Sequence, residues 1–504
     1  MERSGERRPA CDRREQVDQA CLDAPLTTLR SHQCSFPGFE LFLDLIQEIP
    51  GRSLIDKRQR QPPRCGFHAC RTETALSTPD LTRMQTALAR ALSIDDVNQL
   101  GRDTGQSERL RTITPHRLFL SMMAALGVRK VESLADLLRE FNHQNGVTVA
   151  YKAFYNRLAR PGFAEFMRRM LTRLVEQLSI RILAPEGHTA IARFDDIVIQ
   201  DGSSFALKKA LSEVFSGRFT TVEPAAVEVH ATYSGFSDEV STVAIASDSE
   251  EERQFLPEPS TLSGRLRLAD RGYPSVEYLD EVREHGGSFI MRISCSHNPW
   301  VRAAWVDGKR CVLCKPVRLS EFIAQHTGCR MDLDVEYKHG KQVHEFRVIV
   351  LPGKEPSMTR LCTNLPRTPF SLDLVARLYR FRWQVELLFK EWKSYANLHK
   401  FNTANEHIAA GLIWASLCAA VLKRFLAHAA QIVGGKQIST RRVAMCAGHI
   451  IDELVAAMLA CATIAAVFRD GIMFLLANAR RANPKRDRKA GRLRSGLVVV
   501  GTRS

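Results

Sequence analysis

Hydrophobic positions change their period twice along the chain. From Met84 to about Leu183, apolar residues recur at helical spacing, with turn signals at LGVRK and HQNG. Beyond Ala192 the pattern becomes extended. DDIVIQ, AAVEVHATYSG, EVSTVAIAS and RLRLA predict successive strands, the middle two forming a hairpin. SVEYLDEVREHGG then predicts a helix stopped by glycine, and SFIMRIS a further strand. From about Cys295 to Phe370, RMDLDVEYKHGKQVHEFRVIVLPG alternates as two strands around HG, and TRLCTNL adds a third, so a small antiparallel insertion is expected. After Phe401 the helical spacing returns and persists to about Asn478.

Between the insertion and the last helices lies YRFRWQVELLFKEWKSYANLHKF, read as one helix that starts after an N-cap at Ser371 and continues past Lys393. Leu374, Leu378, Phe381, Val385, Leu388, Phe389 and Trp392 form its apolar stripe. Tyr379, Arg382, Glu386 and Lys393 share an arc of about 60° bordering that stripe, at the helical 100° per residue. An Arg–Glu pair four apart is an ordinary helix-edge ion pair, so Glu386 needs partners elsewhere to mean more.

The pattern divides the chain into a poorly ordered or marginal extension (1–83), a helical region (84–190) in which DNA binding is expected, an α/β domain (191–400) with the insertion at about 295–370, a helical C-terminal region (401–478) and a basic tail (479–504). At 504 residues and 45% hydrophobic content, more than one folded core is expected. The net charge of +16 is uneven, because residues 480–504 carry nine Lys or Arg against one Asp. Such a tail suits a polyanion such as DNA, with an anionic membrane surface as the rival partner. The tail is expected to stay mobile until it meets DNA phosphates, adding affinity without specificity.

IAAGLIWASLCAAVL from Ile408 and LVAAMLACATIAAVF from Leu454 are 15 residues each, too short to span a bilayer, and read as buried helices with no membrane partner. The start carries charge without an apolar segment, so a cytoplasmic, nucleoid-associated location is expected and the thirteen cysteines read as reduced thiols. Cys65, His68 and Cys70, and separately Cys311 and Cys314, have no second pair at zinc-finger spacing; the last two read as strand residues.

VESLADLLREFNHQNGVTVAYKAFYNRLARPG reads as helix, turn, helix. Its second helix displays Tyr151, Lys152, Tyr155, Asn156, Arg157 and Arg160, types that contact phosphates or base edges, although helix pairs of ordinary bundles look similar. Asp332, Asp334 and Glu336 alternate along one strand and read as a solvated face.

Asp201 and Asp270 each follow a short apolar strand and precede a loop, in DGSSF and DRGYP, and Glu386 adds a third carboxylate from a helix edge. Asp195 and Asp196 compete for the first position but begin the strand instead of ending it. Three carboxylates without His or thiol partners suit Mg²⁺ or Mn²⁺. Two such ions about 3.5 to 4 Å apart activate a water or a 3′-hydroxyl and stabilise the leaving oxygen of a phosphodiester.

Together these motifs resemble the bacterial insertion-sequence transposases of the DDE type whose signature reads Tyr-x2-Arg-x3-Glu-x6-Lys, matched in full by Tyr379, Arg382, Glu386 and Lys393. DGSSF, DRGYP and the strand-rich insertion are similar to that family in kind and order, from about Met84 to Asn478. The resemblance implies a ribonuclease-H-like (retroviral-integrase-like) catalytic core with an antiparallel β insertion, flanked by helical regions. It also implies Asp201, Asp270 and Glu386 as ligands of a divalent metal pair, and Tyr379, Arg382 and Lys393 as phosphate contacts near the cut. The activity it implies is cut-and-paste movement of DNA bounded by inverted repeats, by a homodimer in a synaptic complex with the element ends and target DNA. Trp300 and Trp305 are candidates for stacking a flipped base. Two other readings exist: a tyrosine recombinase using His344, Arg347 and Tyr379, and a catalytically inactive or domesticated DNA-binding protein that grips element ends.

Overall fold

The computed structural model describes residues 77–128, 131–270, 275–339, 342–353, 358–398, 401–481 and 497–500. Cys65, His68, Cys70 and most of the basic tail lie outside the described residues.

Six helices open the described chain: α1 (Thr78–Ala91), α2 (Ile94–Asp103), α3 (Pro115–Val128), α4 (Leu134–Asn145), α5 (Tyr151–Leu158) and α6 (Pro161–Leu178). Their ends follow local chemistry. Ser133 and Asp136 form a reciprocal capping box on α4, and Gly146 closes that helix in the left-handed region at φ 60°. Pro161 starts α6, at the position where a missing N–H costs no helical bond. The boundary drawn at residue 83 falls inside α1, whose Met84 and Leu88 are buried.

β1 (Leu183–Pro185) pairs with the last described strand, β13 (Leu497–Val499). Between them lies a sheet of eleven strands: β2 (Ile197–Ala206), β3 (Ala226–Ser234), β4 (Glu239–Ser247), β5 (Leu266–Ala269), β6 (Ser288–Arg292), β7 (Trp300–Val306), β8 (Lys309–Cys311), β9 (Val317–Arg318), β10 (Met331–His339), β11 (Gln342–Pro352) and β12 (Met358–Thr363). The order is β4-β3-β2-β5-β6-β12-β11-β10-β7-β8, with β9 on β7. β2, β5 and β6 run parallel and the remaining pairs antiparallel. The insertion therefore continues the sheet through β12 on β6 instead of forming its own.

Alternation divides the sheet's side chains between two cores. Ile197, Ile199, Leu266, Leu268 and Ile290 join the larger one with the helices; Val198, Ala269, Phe289 and Met291 join the smaller one, covered by α7 (Val276–Glu284) and α8 (Leu319–Gln325). The larger core is completed by α9 (Leu372–Arg380), α10 (Trp383–Tyr395), α11 (Glu406–Gly434), α12 (Thr440–Cys446), α13 (Gly448–Leu459) and α14 (Ala465–Asn478). α11 has 29 residues, longer than its apolar run implied and long enough to cross a membrane by length and composition, but 94% of its most apolar window is buried against the protein. It is the central core helix, packed on α6 and α3.

Several expectations change. Asp201 does not end its strand, since β2 runs on to Ala206. Gly202 stays in the strand because a Cβ there would lie 2.3 Å from Glu228 Oε1 on β3, so its missing side chain makes room for a neighbour and marks no turn. Asp332, Asp334 and Glu336 are not a solvated face: Arg347 and Arg367 pair with Asp332, Arg367 with Asp334, and Arg302 and Lys338 with Glu336. Cys311 ends β8, whereas Cys314 lies beyond it in a loop.

The single helix expected from Ser371 past Lys393 is two. Phe381 and Arg382 separate α9 from α10 although both keep right-handed helical angles. Bonds from Phe381, Arg382, Gln384 and Val385 N–H each reach back three residues, so one tight turn replaces the α-helical ladder. Phe381 packs where Gly235 leaves space, since a Cβ on Gly235 would stand 2.7 Å from its ring.

Candidate active site

Strand register brings Asp201 and Asp270 level. In the parallel β2–β5 pair, Ile197 faces Leu266 and Ile199 faces Leu268. Each aspartate stands two residues further on, so both turn to the face bearing those four residues. That face is packed by Leu378, Phe381, Val385 and Leu388 of the α9–α10 segment. Ser371 starts that segment by accepting the Leu374 N–H at 3.3 Å, and the tight turn at Phe381–Arg382 aims the first turn of α10, with Glu386, at the aspartates.

Arg382 joins the three acids. Its Nη1 lies 3.2 Å from Asp201 Oδ2, and its Nη2 lies 2.5 Å from Glu386 Oε1 and 3.9 Å from Asp270 Oδ2. The Tyr379 hydroxyl donates to Asp270 Oδ1 at 3.4 Å, and Lys393 Nζ donates to the Ser204 carbonyl at 2.8 Å, tying α10 to the outer half of β2. Tyr379, Arg382 and Lys393, the residues expected to contact DNA, all make polar contacts within the site.

Burial dominates the electrostatics. It pushes the Asp201 carboxyl up to about 6; Arg382 and the Gly202 N–H pull it down, while Glu386 and Asp270 push it further up. Burial, reinforced by Asp270, raises the Tyr379 phenol, which therefore remains a donor. Burial lowers the Lys393 ammonium. For Arg382, burial acts downward but is outweighed by Tyr379 and the three carboxylates, which raise it. Three acids against one guanidinium leave the cluster short of positive charge.

The donor chemistry fits hard divalent cations, because all three side chains offer only carboxylate oxygens. Their present spacing is set by Arg382, and among the described residues no group of three or more His, Cys, Asp or Glu is spaced to hold an ion. Asp201, Asp270 and Glu386 are the side chains of this cluster whose oxygens could hold such an ion.

Asp196 is excluded from the cluster by its structural role: it accepts the Ile197 and Phe236 N–H groups at 2.8 and 3.0 Å. His344 and Arg347 do not join Tyr379, being engaged by Asp280 and Asp332. Trp300 and Trp305 lie under the guanidinium groups of Arg318 and Arg367, at 4.0 and 3.6 Å. On α5, Tyr151, Lys152 and Asn156 are exposed, and Arg157 donates to the Gln106 carbonyl at 2.7 Å and fastens α5 to the α2–α3 loop; Arg160, expected on the same helix, lies beyond its end as the exposed N-cap of α6.

Behind Asp201, on the opposite sheet face, sequence reasoning missed Glu228 and His230, which stand across from Ser204 and Gly202. His230 stacks on Phe255 with ring centroids 4.0 Å apart. Burial first, then Glu252, push the Glu228 carboxyl up to about 7. The alternation of two polar residues in AVEVHA was the available signal.

Residues 193–422 match the model of the transposase DDE domain. The transposase for insertion sequence element IS1151 of Clostridium perfringens is 20% identical over 353 residues, 62% of this chain and 74% of that protein. The transposase for insertion sequence element IS231B of Bacillus thuringiensis subsp. berliner is 20% identical over 385 residues, 68% of this chain and 80% of that protein. Among solved structures, the piggyBac transposase synaptic complex with hairpin DNA aligns at a TM-score of 0.40 with 12% identity, over 82% of this chain and 87% of that one.

Proposed function

We infer that the chain is an insertion-sequence transposase of the DDE type, which cuts DNA and transfers its strands, with Asp201, Asp270 and Glu386 as its catalytic carboxylates. The observation that carries this reading is the convergence of all three on one guanidinium, from two strands and a helix far apart in sequence. The strand order supports a ribonuclease-H-like core: β2, β3 and β4 form an antiparallel meander, and β5 and β6 add parallel to β2 on its other edge. An inactive DNA-binding derivative is not favoured, because the acids and their Tyr, Arg and Lys neighbours are all in place.

Transposases of this type depend on divalent metal, here Mg²⁺ or Mn²⁺ as two ions, which when bound supplies an activated oxygen nucleophile and stabilises the leaving oxygen. The protein's own residues prepare the site. Arg382 offsets the mutual repulsion of the carboxylates, and its planar guanidinium is of the type that would pair with the scissile phosphate. The Tyr379 hydroxyl, held protonated, donates to a phosphate oxygen, and Lys393 supplies a further positive charge at the end of the same face.

Lys152, Arg157 and Arg160 with their α5 neighbours hold the inverted-repeat end, Arg157 by supporting the helix from its Gln106 contact. The substrate is the element's ends and then target DNA, handled by a homodimer at the nucleoid. The test is cleavage of a duplex bearing the inverted repeats that flank the gene, with and without a chelator. Metal-independent cleavage, or a covalent protein–DNA adduct, contradicts the reading.

A further inference from the structure

A cleft of about 480 Å³ lies along α10 on the side next to its catalytic face, between that helix and α12. Lys390, Arg424, Arg441 and Arg481 line it, against a single acid, Glu391. Glu391 is already committed to Arg424, 3.3 Å away. Arg441 donates to the Tyr395 hydroxyl at 3.3 Å, and Lys390 lies 4.9 Å from the centre of the Trp383 ring. These are neutral partners, and among the described residues neither cation forms an ion pair.

The place of the cleft on the helix matters. At 100° per residue, Lys390 and Trp383 stand about 40° to 60° around α10 from Glu386, and Leu387 about 100°. Trp383 and Leu387 are 48% and 46% exposed. An exposed strip thus runs from Glu386 and Lys393 over Lys390 and Trp383 into the cleft. Positive charge with hydroxyl donors from Ser394 and Tyr395, beside exposed apolar surface, matches a nucleic-acid backbone: phosphate in the cleft, sugar on its rim.

We propose that this cleft is a sequence-independent binding site for the DNA backbone, taking phosphates of the duplex that continues past the cut. The proposal rests on the reading that Glu386 faces the scissile phosphate. It assigns Lys390 and Arg441 as DNA contacts distinct from the Tyr379–Arg382–Lys393 set.

The experiment is binding of a random-sequence duplex across a salt series by wild-type protein and the Lys390→Ala/Arg441→Ala double variant, both sites being exposed and therefore compatible with folding. The slope of log affinity against log salt is expected to flatten by about two, one for each phosphate no longer neutralised. An unchanged slope in a variant that melts like wild type overturns the proposal. A second arm titrates inorganic phosphate: protection of the wild type by phosphate with an unchanged DNA slope means the cleft takes the free ion only, and also overturns it. Asp201→Asn runs in parallel and is expected to keep the wild-type slope while losing cleavage. Retained cleavage there removes the catalytic reading, whereas an unchanged slope in the double variant removes the cleft alone.

Discussion

Arg382 is the residue on which the site turns, and its role was only half visible in the chain. The spacing from Tyr379 to Lys393 marked it, but its partners Asp201 and Asp270 lie more than a hundred residues away. Only the register of β2 on β5 sets those two side by side. The guanidinium fork reaches three carboxylates at once, a geometry that one ammonium cannot copy. Arg382→Lys is therefore expected to reduce single-turnover cleavage by about tenfold or more while preserving charge. Cleavage at the wild-type rate would show that only the charge is used.

α10 is held as firmly from behind as it is placed in front. Arg424 of α11, 6% exposed, lies 2.9 Å from Asp238, 4.0 Å from Glu239 and 3.3 Å from Glu391, joining α10 and the β3–β4 hairpin to the central helix. Arg424→Met leaves these acids buried without their cation and is expected to cost about 3 to 5 kcal/mol in chemical denaturation. A loss below about 1 kcal/mol would mean that the cluster relaxes to solvent.

The Glu239 carboxyl in this cluster is pushed up to about 8 by burial, against Arg424 and the Val240 N–H, with Glu391 and Asp238 adding to the rise. The folded protein therefore holds this proton to higher pH than the unfolded chain does. Stability falls as pH rises from the ordinary carboxylate range through about 8. Glu239→Gln should flatten the decline in Tm between about pH 5 and pH 8; an unaltered decline would assign it to another group.

Elements with one clear period were legible: the β3–β4 hairpin, α7, and the β10–β11 pair all stand where alternation or helical spacing put them. The tight turn after α9 was not, because Phe381 and Arg382 keep both the apolar pattern and helical angles. Nor was the continuation of β2, because Gly202 after Asp201 has the same appearance in a chain whether it makes a turn or clears space for Glu228.

The described chain closes its larger core with pieces from both ends. Leu497 of β13 and Met84 and Leu88 of α1 are all buried in it, and Ser77 N–H donates to the Val433 carbonyl of α11 at 3.1 Å. Weak periodicity over the first 76 residues leads us to expect that a chain starting at Ser77 retains fold and cleavage. A chain starting at Met84 loses the first turn of α1, including the Ser77–Asp80 side-chain bond of 2.7 Å, and is expected to melt at a lower temperature. Equal Tm values for the two truncations would show that this turn adds nothing.

The same closure explains why the insertion was readable as strands but not as an extension of the catalytic sheet. β12 reaches β6 by pairing Leu361, Cys362 and Thr363 with Arg292, Met291 and Ile290, contacts that no local pattern encodes. In the whole molecule, three carboxylates, Asp201, Asp270 and Glu386, are expected to perform the chemistry. This is tested by cleavage of the inverted-repeat duplex with Mg²⁺ by wild type, Asp201→Asn, Asp270→Asn, Glu386→Gln and, as control, Asp196→Asn. Loss of cleavage in the first three variants, with DNA binding retained and the control active, is the predicted result. Cleavage surviving Asp201→Asn but lost in a folded Asp196→Asn would contradict it.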